Sequence, residues 1–211
     1  MRRVFVDPGA PQRDAIEEAA TWIRGGGAVA IPTDTLYGLA VDPFNAAAVA
    51  RLFAIKGRDA ERALPLIAAD VAQIETHVSI LTPAARTLAA RFWPGPLTLL
   101  LPAPVALAAQ VTGGTGRVGV RVPADPIARS VCAAAGRPVT ATSANRSGQP
   151  ATADPGEVER TLGDAVDFLL DTGPTPGGAP STIVDTVDEV PRLIRAGAID
   201  WDDIQRCLHH E

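Results

Sequence analysis

The chain has 211 residues, 46% hydrophobic but only 4% aromatic, which fits one large domain or two small ones and gives ample apolar surface for an aliphatic core. We expect a single domain over 1–211. The net charge is −5, so no bulk basic field exists to hold nucleic acid as a dedicated binder does. Cys132 and Cys207 show no metal-ligand spacing, the first apolar run is too short for a signal-peptide core, and no stretch reaches the ~20 residues of a membrane helix. A cytoplasmic protein with no metal site and no membrane association is expected.

Strand-like and helix-like segments alternate along the chain and point to an α/β class. A strand over 4–6 precedes a helix over 12–24, whose Ile16, Ala19, Ala20 and Ile23 recur at helical spacing. Three glycines stop it. A buried strand over 28–32 leads into the polar turn Thr33-Asp34-Thr35 and a second apolar run over 36–41. Asn45 reads as an N-cap and Gly57 as a C-terminal stop, which puts Lys56 at a helix exit. Further strands are predicted over 64–68, 97–101, 118–122, 139–142, 168–170, 182–187 and 192–194, and helices over 82–92, 126–135, 154–162 and 200–208. Trp93-Pro94-Gly95-Pro96 reads as a corner between helix and strand. The Gly/Pro-rich stretch 172–180 reads as a loop at a functional site rather than a linker, since only about 30 residues follow it, fewer than the ~40 at which a domain stands alone.

Basic residues are unevenly placed. Lys56, the only lysine, clusters with Arg58 and Arg62, while Arg121 and Arg195 interrupt apolar strand surroundings. A Lys-x-Arg pair at a helix exit either satisfies terminal carbonyls or meets an anion. Ser143 and Asn145 follow a strand, where short polar side chains either form an Asx or Ser turn or contact phosphate and ribose at the sheet's edge. Thr33-Asp34-Thr35 carries the same two readings. The P-loop, dinucleotide and nucleophile-elbow patterns are absent. With His77 read as a surface residue and His209 and His210 at the chain terminus, no histidine-centred triad is expected.

Seven segments, taken in order, resemble the YrdC/TsaC-type threonylcarbamoyl-adenylate synthases: residues 31–39 (IPTDTLYGL), 56–58 (KGR), 92–98 (FWPGPLT), 118–123 (VGVRVP), 141–145 (ATSAN), 181–185 (STIVD) and 195–198 (RAGA). The resemblance spans almost the whole chain and implies a YrdC-like twisted mixed sheet with flanking helices around a large basic cavity for ATP and threonine. It assigns catalytic roles to Lys56 and Arg58. ATP contacts would come from Lys56, Arg58, Arg62, Arg117, Ser143, Asn145, Ala151 and Arg195. Threonine would be held by Thr35, Arg121, Ala141 and Ser181, with Arg121 suited to a bidentate carboxylate contact. The threonine-side histidine of the family maps near Ile67 and is missing, and Arg117 stands where a small polar residue is usual.

The resemblance further implies that ATP, as its Mg2+ complex, L-threonine and bicarbonate are the substrates, with Asp34 and Asp185 left unassigned to metal. The product would pass to a tRNA threonylcarbamoyl transferase complex, with direct tRNA binding weak or absent. The competing reading is an RNA-binding or ribosome-assembly module of the same fold that forms no adenylate. Its footprint would be a basic outer face, which the acidic balance disfavours.

Overall fold

The computed structural model describes residues 1–57 and 63–209. Eleven strands form two mixed sheets among the described residues. The first contains β1 (Arg2–Phe5), β9 (Phe168–Asp171), β2 (Val29–Ile31), β3 (Gly38–Ala40) and β8 (Thr142–Ser143), in that spatial order. The second runs β11 (Arg192–Arg195), β10 (Thr182–Asp185), β5 (Leu97–Pro102), β6 (Arg117–Arg121), β4 (Leu66–Ile67) and β7 (Val139–Thr140).

The α/β mixed fold read from the sequence is present, but the single expected sheet is two. The reason lies in the predicted strand 139–142. Its first half, β7, pairs antiparallel with β4, and its second half, β8, pairs antiparallel with β3. Between them the Ala141 N–H donates to the Pro65 carbonyl at 2.9 Å. Thr140 ties the sheets together: its Oγ1 accepts from Val41 N at 2.9 Å and donates to Leu39 O at 3.2 Å.

The helices begin and end where their sequences dictate. In α1 (Arg13–Arg24), Ala15, Ile16, Ala19, Ala20 and Ile23 form the buried stripe. They pack with Ile127, Val131 and Cys132 of α5 (Pro126–Ala135) on one face of the first sheet, against Val29, Ile31, Phe168 and Leu170. The alternate residues Ala30, Leu39 and Leu169 enter the larger cluster shared with Leu97, Leu99, Val118 and Val120 of the second sheet. Strands apolar on both faces are the expected consequence of such double coverage. Burial of each Leu or Val contributes about 1.5–3 kcal/mol.

Asn45 caps α2 (Ala46–Lys56), its Oδ1 accepting from Ala47 N and Ala48 N at 3.1 and 3.2 Å. Gly57 ends that helix at φ 58°, a left-handed backbone that glycine adopts without steric cost. Two more helices match the sequence reading, α4 (Pro83–Phe92) and α6 (Pro155–Leu162), each with proline in its first turn. The final helix is α7 (Trp201–His209).

The short α3 (Val71–His77) is not predicted from the sequence, and only Ile74 within it is buried. One buried residue gives no period to detect. His77, read as a surface residue, is half-buried with its ring 6.3 Å from that of Phe44. Trp93 does hold the helix-to-strand corner, donating Nε1–H to Leu97 O at 2.6 Å. No helix among the described residues is long and apolar enough to cross a membrane.

Candidate active site

A cavity of about 490 Å3 opens where the two sheets diverge. The turn 33–36, β4, the 141–143 crossing, the end of β6 and the start of β10 all contribute to its wall. Five predicted site residues face it together with Ser143: Thr35, Arg121, Ala141, Ser181 and Arg195. Ile67, at the position lacking the family histidine, also lines it.

The turn is built from its own hydroxyls. Thr33 Oγ1 donates to Leu36 O at 2.7 Å and accepts from Thr35 N at 3.2 Å, with Thr35 Oγ1 another 3.2 Å away. Its structural reading is therefore fulfilled, and the turn faces the cavity as well. The Thr35 carbonyl accepts from Thr175 Oγ1 at 2.8 Å and from Gly177 N at 2.7 Å. These bonds strap the loop 172–180 across the turn, and its Gly178 and Pro180 form part of the cavity wall. Tyr37, the only tyrosine, is fully buried and donates its hydroxyl to Gly173 O at 2.8 Å. Burial raises its pKa above the ordinary phenol value, so at neutral pH the hydroxyl stays protonated and available to donate.

Two cations point into the space. Arg121, at the end of β6, is only 8% exposed. Burial lowers its pKa from the usual guanidinium value, Asp34 opposes that shift, and the nearby charge of Arg195 adds to it. Asp34 Oδ1 lies 3.0 Å from Arg121 Nη2. Arg195 donates Nη2–H to Ser181 O at 2.7 Å and to Ser181 Oγ at 3.2 Å; partial burial lowers its pKa too. Ser181 Oγ in turn shares a 2.8 Å hydrogen bond with Thr98 Oγ1. Thr98 was missed by sequence reasoning; its trace in the sequence is a hydroxyl between Leu97 and Leu99, and in the fold it is only 4% exposed.

Lys56 stands behind this wall rather than in it. It is 4% exposed, and its Nζ donates to Ser143 O at 2.5 Å, Asn145 O at 3.0 Å and Asn145 Oδ1 at 3.2 Å. The carbonyls it satisfies belong to the 143–145 segment, so the ammonium clamps the very residues expected to meet nucleotide. Ser143 Oγ donates to Asn145 Oδ1 at 2.6 Å, which gives the predicted short polar turn.

Arg117 is placed apart from these residues. It lies on β6 four residues before Arg121, at the far end of the strand, and its guanidinium is held by Asp185 and Asp188. Four residues of strand span about 13 Å, and Arg117 does not line the cavity. Nor does Ala151, which is half-buried in the segment whose neighbour Thr152 accepts from Tyr37 N at 3.1 Å. Arg58 and Arg62 lie outside the described residues. Among those described, the lining mixes two guanidiniums, hydroxyls and apolar walls; it is not the broadly basic surface expected. No group of three His, Cys, Asp or Glu that would hold a metal occurs among them.

Comparison with known proteins places this architecture. The Sua5_yciO_yrdC family model, described as telomere recombination, matches residues 21–197. The threonylcarbamoyl-AMP synthase of Bacillus subtilis (strain 168) is 38% identical over 194 residues, covering 92% of this chain and 56% of that protein. The protein of that name from Alkalilimnicola ehrlichii is 40% identical over 187 residues, covering 87% of this chain and 96% of its own length. The crystal structure of Pyrococcus abyssi Sua5 complexed with L-threonine superposes with a TM-score of 0.93 at 35% identity, over 99% of this chain and 61% of that one. The chain thus spans under two thirds of some relatives and nearly all of others. With the motif order, the fold and the matched segment in agreement, it belongs to the Sua5/YciO/YrdC family.

Proposed function

We propose that this chain is an L-threonylcarbamoyl-adenylate synthase, a nucleotidyltransferase that forms threonylcarbamoyl-AMP and pyrophosphate from L-threonine, bicarbonate or CO2, and ATP. One observation carries the reading: a nearly buried guanidinium, Arg121, faces a cavity of about 490 Å3 beside the hydroxyls of Thr35 and Ser181. A guanidinium in a desolvated site is a bidentate partner for a carboxylate, and short hydroxyls beside it suit a hydroxylated amino acid. The names of the relatives and the threonine-bound Pyrococcus structure support the same assignment.

In this reading the threonine amine takes up CO2, losing a proton, to give a carbamate. A carbamate oxygen then attacks the α-phosphorus of ATP, the bond to the bridging oxygen breaks, and pyrophosphate leaves. Carboxylate, carbamate and triphosphate crowd together, so the protein's task is to fix positions and supply donors rather than a nucleophile. Arg121 holds the carboxylate and Thr35 and Ser181 the hydroxyl end. Arg195 and Ser143 face the phosphates, with Asn145 and Lys56 holding Ser143 in place. We extend the nucleotide role to Arg58 and Arg62 on the motif alone, with Arg58 acting at the catalytic centre and Lys56 serving it from behind through Ser143 and Asn145. ATP enters as its Mg2+ complex, the ion carried by phosphate oxygens and water, and we assign it no protein ligand. The product is consumed in the cytoplasm by a transferase complex that modifies tRNA next to the anticodon.

Mass spectrometry of the products from ATP, threonine and bicarbonate tests this directly. Threonylcarbamoyl-adenylate with stoichiometric pyrophosphate is the expected result. ATP turnover that ignores threonine would overturn it.

A further inference from the structure

The two cavity arginines are compensated differently. Arg121 faces a carboxylate: Nη2 lies 3.0 Å from Asp34 Oδ1, and Nη1 donates to Asp34 Oδ2 at 3.3 Å. Both side chains are largely withdrawn from solvent, at 10% and 14% exposure. Oδ1 receives no well-aligned hydrogen bond despite its closeness to Nη2, so that half of the pair is held by charge rather than by directed bonding. Arg195 differs. Its hydrogen bonds go to the neutral oxygens of Ser181, and no acid pairs with it among the described residues.

Asp34 is not part of the cavity wall. It occupies the outer nitrogens of Arg121, so the remaining Nε edge is the one left for a ligand. Its charge therefore acts on a ligand through and past that guanidinium. Asp125, whose charge also reaches Asp34, accepts from Ala128 N at 2.8 Å. Arg121 is thus matched by a carboxylate, whereas Arg195, whose charge also reaches Arg121, has no acid of its own among the described residues.

A neutral pair separates ligands by their own charge. An anion attracted by Arg121 is repelled by the carboxylate behind it, while a ligand that also carries an ammonium recovers the difference. We propose that Asp34 is a specificity-determining residue that acts through Arg121, offsetting its charge so that this guanidinium favours a zwitterion over a carboxylate or phosphate without an ammonium. Triphosphate is thereby left to Arg195, which no carboxylate neutralises among the described residues. This rests on the synthase reading above and adds the residue that selects between its two anionic substrates. A unit charge about 6 Å away at an effective dielectric constant near ~20 alters anion binding by more than about tenfold.

The test is calorimetric binding in the presence of α,β-methylene-ATP, which fills the nucleotide end. The probes are L-threonine and (3R)-3-hydroxybutyrate, which is threonine with its amino group replaced by hydrogen. Wild-type protein should prefer threonine by at least about tenfold, and D34N should shrink that preference about tenfold by gaining affinity for the hydroxy acid. A purely structural role would weaken both ligands together. Wild-type protein that binds the two probes equally overturns the proposal without any variant, which covers the case in which D34N does not fold. Threonine binding with an unchanged preference in D34N overturns the proposal alone. Absence of threonine binding to wild-type protein overturns both it and the synthase reading.

Discussion

Replacing Lys56 by methionine isolates what the ammonium does. Methionine keeps much of the buried stem's volume, so packing changes little, but three acceptors lose the donor now 2.5–3.2 Å away: the Ser143 and Asn145 carbonyls and Asn145 Oδ1. Two of them keep another partner, since Asn145 N donates to Ser143 O at 2.9 Å and Ser143 Oγ to Asn145 Oδ1 at 2.6 Å. The Asn145 carbonyl bears most of the loss. Hydrogen bonds to charged groups contribute about 1.5–3 kcal/mol each, and relief of the buried charge offsets part of the sum, leaving a net cost near ~3 kcal/mol. At about 2–4 °C per kcal/mol for a chain of this size, Lys56→Met should lower Tm by about 6–12 °C. The assay is thermal unfolding followed by circular dichroism, without nucleotide. A lysine that served only to meet phosphate would, with no phosphate present, be neutral or stabilising to remove. A Tm unchanged within about 2 °C would therefore refute the clamp and restore Lys56 to a direct ligand.

Gly197 supplies a second perturbation. A Cβ there would overlap the Pro180 carbonyl and the Ser181–Thr182 peptide, so Gly197→Ala should cost roughly 1–3 kcal/mol and weaken threonine binding by displacing Ser181 and Arg195. Gly163→Ala, where a Cβ meets open space, is the control. Equal unfolding midpoints for the two variants in urea would contradict the overlap. A third concerns pH. Burial pushes the Asp167 carboxyl up, but the hydrogen bonds from Arg51 and from Ala28 N, with the charge of Arg51, hold it net below its ordinary value. A depressed carboxylate stabilises the fold above its unfolded pKa, near ~3.9, and loses that contribution as pH falls through the folded value. The stability gap between wild type and Asp167→Asn should thus be full at pH 7 and close in acid; a gap that widens below about pH 4 would reverse the sign.

What the sequence revealed depended on whether a residue's signal was local. Asn45, Gly57 and the three helix-opening prolines announce their helices because a cap is decided within one turn. Arg121 was legible as a charge inside an apolar strand. Yet Arg117 carries nearly the same signal on the same strand, two pleats away and therefore on the same face. Which arginine reaches the cavity depends on where the second sheet meets the first, and that junction is formed by residues distant in sequence. The Asp34–Arg121 pair joins positions 87 apart, and nothing near either residue foretells it. The resemblance names several residues that the fold brings to one cavity, but it does not distinguish Lys56 in the cavity from Lys56 behind it.

The crossing at Ala141 accounts for the site as a whole. A strand that leaves one sheet for the other forces the sheets to diverge, and the space between them must be either filled or left open. Here two strands bring glycine to its wall. Gly38 of β3 and Gly119 of β6 both line the cavity, and a Cβ at Gly119 would press to 3.1 Å of Thr98 Cγ2 and 3.4 Å of Leu100 Cδ2. The missing side chains let neighbouring residues come close there, while Arg121 and Ser143 are carried on the strand ends that border the cavity. The same crossing exposes Ser143 to the cavity and its carbonyl to Lys56, so the strand switch that makes room for substrate also orients the groups facing it. The glycines in the IPTDTLYGL and VGVRVP segments are in this sense part of the site: they determine its shape, and the charged neighbours determine what it holds.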